Sequence, residues 1–226
     1  MKRVIALNLK TYQESTGQHA EKLAKAADSV AGDFSRVEII LCPPVWELQH
    51  FTWLVKKATV FGQHVDANSF GAFTGSVTPE AVKQLGASGT LLNHAEKKLP
   101  QETILKTLDR CKHAGLRVLA CAKDVTEGVD IAKMDPSPEM IAVEPPELIG
   151  SGISVSTAKP EVVRDAVAEI IEANKKVRVL VGAGVSNAKD VRKCFELGAS
   201  GVLLASAFVK SSDPEKLLRE MAQSVI

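Results

Sequence analysis

Eight short apolar runs rich in β-branched residues recur along the chain: RVIALNL, VEIILC, ATVFGQ, GTLLN, RVLACA, MIAVE, VRVLVG and GVLLAS. Most are continuously apolar rather than alternating, the pattern of strands buried on both faces of a parallel sheet. Between them the apolar positions spread to a helical period. Leu23, Ala27, Val30 and Phe34 share one face, as do Ile104, Leu108 and Cys111, and Val163, Ala166, Val167 and Ile170. Pro79, Pro160 and Pro214 stand where helices begin, and Asp213 is placed to cap the last of them. Leu85-Gly86, Ala114-Gly115 and Leu197-Gly198 each put a glycine just past a helical stretch and before the next strand. A helix is expected from near Glu96, and the stretch 125–133 leaves room for only a short fifth one. Repetition of one βα unit eight times, with no linker or shift in composition, predicts a single domain over 1–226, a closed (β/α)8 barrel of the α/β class. An open doubly wound sheet of the same units is the alternative that periodicity leaves standing.

Composition narrows the partners. With 226 residues, 45% of them hydrophobic, the chain is long enough to bury one large core. Lys and Arg number 28 against 27 Asp and Glu, with the signs mixed throughout, so neither a nucleic-acid face nor an acidic tail is expected. A small molecule is the expected partner. The opening MKRVIALNLKTY starts like a signal peptide, but Asn8 and Lys10 break its apolar run far short of a secretory core or a membrane span. The expectation is a soluble cytoplasmic protein. Cys42, Cys111, Cys121 and Cys194 form no C-x-x-C pair and lie in apolar stretches, which fits a reducing compartment. His19, His50, His64, His94 and His113 are scattered without an HExxH motif, so no metal is expected.

In a barrel the chemistry belongs where strands end and βα loops begin. Those positions hold Asn8-Leu9-Lys10, Asn93-His94-Ala95-Glu96, Glu144-Pro145-Pro146, Gly182-Ala183-Gly184 and Ala205-Ser206. Lys10 is a cation at a partly enclosed rim, suited to a phosphate or an oxyanion; an ordinary solvated lysine is the alternative. Glu144 follows MIAV directly, so partial desolvation favours a role as a base; a salt-bridged rim carboxylate is the alternative. His94 precedes a helical turn whose early N–H groups can bond its ring and keep it neutral, which suits polarising a carbonyl or merely tying down a loop. Glu96 is either the partner of Lys10 or an acidic first-turn residue favoured by the helix dipole. The loops after strands seven and eight are where backbone N–H groups of this architecture converge on phosphate. PPELIGSGIS, from Pro145 to Ser154, has the composition of a lid with stiff hinges, or of a plain surface loop.

Taken together, these segments resemble the triosephosphate isomerase family, and more closely its short archaeal form. The resemblance runs over nearly the whole chain and is carried by Asn8 to Tyr12, GQHVDANSFGAFTG at 62–75, Leu92 to Glu96, Val143 to Pro146, Leu148 to Gly152, Gly182 to Gly184 and Leu203 to Ser206. It implies that Asn8, Leu9 and Lys10 contact substrate, that His94 is the electrophile, and that Glu144 accepts the proton. It also implies that backbone groups of Ile149, Gly184, Ala205 and Ser206 hold the phosphate. Two positions depart from the family pattern: Ala95 stands where serine is usual, and Ser151 replaces threonine in the lid. The first bears on the resting hydrogen bond of the catalytic carboxylate.

The implied reaction interconverts dihydroxyacetone phosphate and glyceraldehyde 3-phosphate through an enediol or enediolate, with no cofactor and no metal, in glycolysis and gluconeogenesis. A lid over that intermediate would disfavour loss of phosphate to methylglyoxal. Two other classes use similar parts: an aldolase-type barrel with Lys10 or Lys123 as a Schiff-base nucleophile, and a phosphate-binding barrel without catalysis. The resemblance further implies a homotetramer, with a dimer as the smaller option. Phe70 and Phe73, in a loop otherwise expected to be polar, mark 62–75 as the segment that meets a neighbouring subunit.

Overall fold

A computed structural model of the protein describes residues 2–144 and 160–226. The expected lid, with Ile149 and Ser151, lies outside the described residues. Each of the eight apolar runs contains one strand: β1 Arg3–Asn8, β2 Val37–Cys42, β3 Thr59–Gly62, β4 Gly89–Leu92, β5 Arg117–Ala122, β6 Met140–Val143, β7 Arg178–Val181 and β8 Gly201–Leu204. Every strand pairs in parallel with its successor, and β8 returns to β1 with Val4 opposite Gly201 and Ala6 opposite Leu203. That last pairing closes the sheet into a (β/α)8 barrel and removes the open doubly wound alternative.

Closure also explains why the strands are not amphipathic. Successive side chains point to opposite faces of a strand, and here both faces are buried. Val4, Ala6, Ile40, Phe61, Leu91, Leu119, Met140, Ala142, Leu180 and Leu203 fill the barrel interior. Their neighbours, such as Ile5, Leu7, Ile39, Leu41, Val179 and Val202, pack outward against the helices. The same alternation carries past the strand ends and fixes what faces the mouth. Two residues beyond Ala142 comes Glu144, two beyond Leu180 comes Gly182, and two beyond Ala6 comes Asn8.

The described helices are α1 Gly17–Asp33, α2 Leu48–Leu54, α3 Pro79–Gln84, α4 Gln101–Ala114, α5 Val125–Ala132, α6 Pro160–Ala173, α7 Ala188–Glu196, α8 Ser206–Val209 and α9 Pro214–Gln223. Pro79, Pro160 and Pro214 occupy first helical positions, and Asp213 caps α9 by accepting from the Lys216 N–H at 3.0 Å. Gly115 ends α4 in the left-handed region, φ 68°, where a side chain would be strained. The short fifth helix is present. The fourth does not begin near Glu96: Ala95–Lys97 form a single 3-10 turn, and α4 starts only after Pro100. Proline disfavours helical backbone in the residue before it, which holds the chain extended there.

At the opposite end, inward positions are charged instead of polar and open. The Arg117 guanidinium bonds Glu38 (2.5 and 3.2 Å) and Glu139 (2.7 and 2.8 Å), and the buried Arg178 lies 3.7 Å from Glu38 and 3.9 Å from Glu139. Arg178 also donates to the Lys2 carbonyl at 2.5 Å. This cluster floors the barrel, so the interior opens at the mouth where the candidate residues stand.

Candidate active site

Asn8, Lys10, His94, Glu144, Gly184, Ala205 and Ser206 line one pocket of about 350 Å³ at the carboxyl ends of the strands. Residues from β1, β4, β6, β7 and β8 thus converge although they are spread over almost 200 positions of sequence. Tyr12, Gly182, Ala183, Val185, Ser186 and Lys210 complete that part of the wall. Leu9 does not join them. Its side chain is fully buried in the layer between sheet and helices, because strand alternation turns it away from its neighbours Asn8 and Lys10.

Lys10 is held in the left-handed region at φ 48°, uncommon for a residue with a side chain. The contacts that hold it there are specific. Its N–H donates to Asn8 Oδ1 at 3.0 Å, and its carbonyl accepts from Gln63 Nε2 at 2.9 Å, the same amide that bonds the Cys42 carbonyl. The ammonium then meets Glu96 Oε1 at 2.7 Å, which settles the two roles open for Glu96 in favour of pairing with Lys10. Lys123, the other lysine weighed as a Schiff-base nucleophile, is exposed and lines no part of this pocket.

His94 follows Asn93, whose backbone is also left-handed at φ 59°. Asn93 is anchored from three sides: Nδ2 donates to the Cys121 carbonyl (2.9 Å) and to Glu127 (3.1 Å), and Oδ1 accepts the Leu99 N–H (2.9 Å). The Glu96 N–H donates to His94 Nδ1 at 3.1 Å, the bond anticipated from the sequence. An accepting Nδ1 carries no proton, so a neutral ring bears its hydrogen on Nε2, which faces Glu144 Oε2 across 3.8 Å. Burial lowers the imidazole's pKa from its ordinary value; the nearby Lys10 charge pushes the same way, and Glu96 opposes both. The ring is therefore neutral at physiological pH.

Glu144 is the least satisfied group at the mouth. Its side chain is 8% exposed, and Oε2 is buried without a hydrogen-bond partner among the described residues. Burial pushes its pKa up to about 7, while a hydrogen bond from the Cys121 thiol on β5 and the charges of Lys10 and Lys98 resist the rise. The position where the sequence departs from the family pattern, Ala95, has no hydroxyl to offer. Space for the carboxylate is made by Gly182 on the loop that leaves β7. A Cβ built there would stand 2.7 Å from Glu144 Cγ and 2.9 Å from Oε1.

Sequence reasoning placed Gly182 only within a phosphate loop, and it gave no role at the site to Cys121, Gln63, Tyr12 or Lys210. Strand parity was the available signal for two of these. Cys121 lies two residues beyond the inward Leu119, and Gln63 two beyond the inward Phe61. Among the described residues no three His, Cys, Asp or Glu side chains stand close enough together to hold a metal ion, and no helix is long and apolar enough to cross a membrane.

The family model for triosephosphate isomerase matches residues 3–222. Curated relatives named triosephosphate isomerase include one from Methanothermus fervidus, 43% identical over 96% of this chain and 96% of its own length. Another from Methanocaldococcus jannaschii is 40% identical over 98% of this chain and all of its own, and one from Methanosarcina barkeri is 42% identical over 98% of both. With a match over nearly its full length and the strand-end residues gathered in one pocket, this chain belongs to the triosephosphate isomerase family.

Proposed function

We propose that the protein interconverts dihydroxyacetone phosphate and D-glyceraldehyde 3-phosphate, with Glu144 as the base that moves the proton between the two carbons. The observation that carries this reading is the buried Glu144 carboxylate, whose unpartnered Oε2 faces a neutral histidine inside the pocket that also holds Lys10. A carboxylate short of hydrogen bonds is a stronger base than a solvated one, and its pKa near the working pH favours reversible proton transfer. His94 Nε2–H and the Lys10 ammonium stabilise negative charge as it gathers on the substrate oxygens. Asn8 orients the Lys10 backbone and contacts substrate, and backbone groups of Gly184, Ala205 and Ser206 receive the phosphate. Ile149, outside the described residues, is assigned to the phosphate as well. The division of labour between a glutamate base and a neutral histidine is the established pattern of triosephosphate isomerase, and it comes to this chain with the family rather than from the distances alone.

No cofactor or metal enters the reaction so written, and its place is glycolysis and gluconeogenesis in the cytoplasm. A coupled assay with glyceraldehyde 3-phosphate tests the activity directly. Borohydride reduction in the presence of substrate, followed by mass measurement, separates it from the aldolase class: an adduct on Lys10 would overturn the isomerase reading.

The pH profile gives a second check. Because Glu144 must be ionised to act and its pKa is raised to about 7, kcat/KM is expected to be level above pH 7 and to fall tenfold per unit below it. Protonation of the substrate phosphate, near pH 6, steepens the slope only further down. A profile level down to pH 5 would remove Glu144 from the role.

The oligomer is also inferred, as a homotetramer with a dimer as its smaller unit. Phe70 and Phe73 are 58% and 47% exposed, and Trp46 and Trp53 reach 62% and 68%. Aromatic groups so exposed are characteristic of subunit contacts. A second pocket, lined by Val45, Trp46, Leu48, Val77 and Val82, adjoins Lys10 and His94 and offers an apolar seat for such a loop. Light scattering is expected to show an assembly for the wild type and a monomer for a Phe70→Asp, Phe73→Asp variant. A fully active wild-type monomer would contradict the inference.

A further inference from the structure

Lys210 takes no part in the chemistry above, yet it lines the same pocket as Lys10, Gly184, Ala205 and Ser206. It follows α8, and its Nζ lies 4.6 Å from the centre of the Tyr12 ring, itself part of the pocket wall. A lysine lying over an aromatic face loses much of the freedom of its four-carbon stem, so the ammonium is presented at a defined place instead of sweeping through solvent.

The balance of charge singles this residue out. Lys10 is paired at 2.7 Å with Glu96, so much of its positive charge is offset before any ligand arrives, and Glu144 adds negative charge when ionised. Among the described residues Lys210 makes a ring contact and no ion pair. A phosphate monoester carries close to two negative charges at neutral pH. A pocket whose one inner cation is already paired would receive such a dianion poorly without a second.

We propose that Lys210 is a second phosphate-directed cation, which draws the dianion of the substrate into the corner formed by Gly184, Ala205 and Ser206 and sets the pocket's affinity for it. The proposal rests on the reading of this pocket as the triose phosphate site. Lys210 acts on the phosphate, remote from the carbons that exchange a proton, so it holds ground state and transition state alike. Such binding appears in KM and not in kcat.

Lys210→Met keeps an unbranched apolar stem against Tyr12 and removes the charge. With inorganic phosphate as the competing probe, both KM and the phosphate inhibition constant are expected to rise roughly fivefold, the scale of one partly solvated charge contact. The fall of kcat/KM with added salt should flatten, since one attractive charge has gone, while kcat stays within about twofold. Lys210→Arg is expected to restore the salt dependence and the phosphate affinity. If wild-type protein isomerises and Lys210→Met leaves the phosphate inhibition constant and the salt dependence unchanged, the proposal fails while the reading of the pocket stands. A fall in kcat at unchanged KM would also overturn it. Wild-type protein without isomerase activity would sink the reading of the pocket and this proposal with it.

Discussion

A Glu144→Gln variant is expected to isomerise roughly 10³–10⁴-fold more slowly than the wild type while binding inorganic phosphate with near-unchanged affinity, because the exchange deletes a general base and little of the pocket surface. Coupled-assay kcat and the phosphate inhibition constant, taken on the same preparation, check both halves. Activity within tenfold of the wild type would remove Glu144 from the proton-transfer step. Stability supplies an independent readout. The carboxylate's pKa rises from 4.5 to about 7 on folding, so the ionised form is disfavoured in the folded state. Below pH 4.5 the group is protonated whether folded or unfolded, and it costs nothing. The cost grows as pH rises through the interval and levels off above 7, at roughly 3 kcal/mol. In the absence of ligand, Glu144→Gln is therefore expected to be more stable than the wild type to denaturant at pH 8, and equal to it at pH 4. A slow variant that is also less stable at pH 8 would point to misfolding as the reason for its slowness.

Gly182→Ala is expected to lower kcat about 100-fold with the barrel intact. The added methyl would stand 2.7 Å from Glu144 Cγ and 2.9 Å from Oε1, closer than real Cβ contacts allow, and the carboxylate has to move away. A displacement of about 1 Å at a reacting group costs on the order of 10² in rate. Gly182 does not need a left-handed backbone, so the substitution acts by crowding and not by backbone strain. Circular dichroism separates the effect from unfolding. Full activity in a folded Gly182→Ala variant would mean that the crowded carboxylate has an equally productive position elsewhere.

Much of this was legible in the chain because a closed parallel barrel imposes two simple rules. Strands covered on both faces read as unbroken apolar runs, so RVIALNL and MIAVE announced themselves as strands and their ends as the mouth. Polar residues directly after such runs, such as Lys10, His94 and Glu144, therefore stood out. The Glu96 N–H to His94 bond was accessible because it spans two residues, within the reach of local reasoning. Leu9 stands between two site residues in the sequence but not in space, since alternation sends every second side chain outward. The start of α4 differs from the expected one near Glu96 because Pro100 keeps the chain before it extended, and the helix begins only at Gln101. Cys121 beside Glu144, Gly182 against it and Lys210 over Tyr12 rest on contacts between neighbouring strands and loops whose residues lie far apart in sequence. No pattern within a short window encodes such contacts, and parity alone gives their facing but not their neighbours.

The floor of the barrel bears on how the protein responds to heat. Arg117 and Arg178 share Glu38 and Glu139 in one partly buried cluster, with two cations and two carboxylates linked across β2, β5, β7 and the start of β6. Stripping water from such ions is what makes a buried ion pair expensive near room temperature. That expense shrinks on warming, because the hydration of charged groups becomes less favourable as temperature rises. The cluster therefore braces four strands more firmly relative to the unfolded chain when hot than when cold. The mouth has no charge cluster shared among four strands: its ion pair joins Lys10 to an exposed Glu96, Glu144 Oε2 is left without a partner for chemistry, and the left-handed backbone at Lys10 and Asn93 is held mainly by neutral side-chain hydrogen bonds. Warming thus widens the difference between a floor that tightens and a rim that loosens, and thermal damage to this enzyme should reach its catalytic end first.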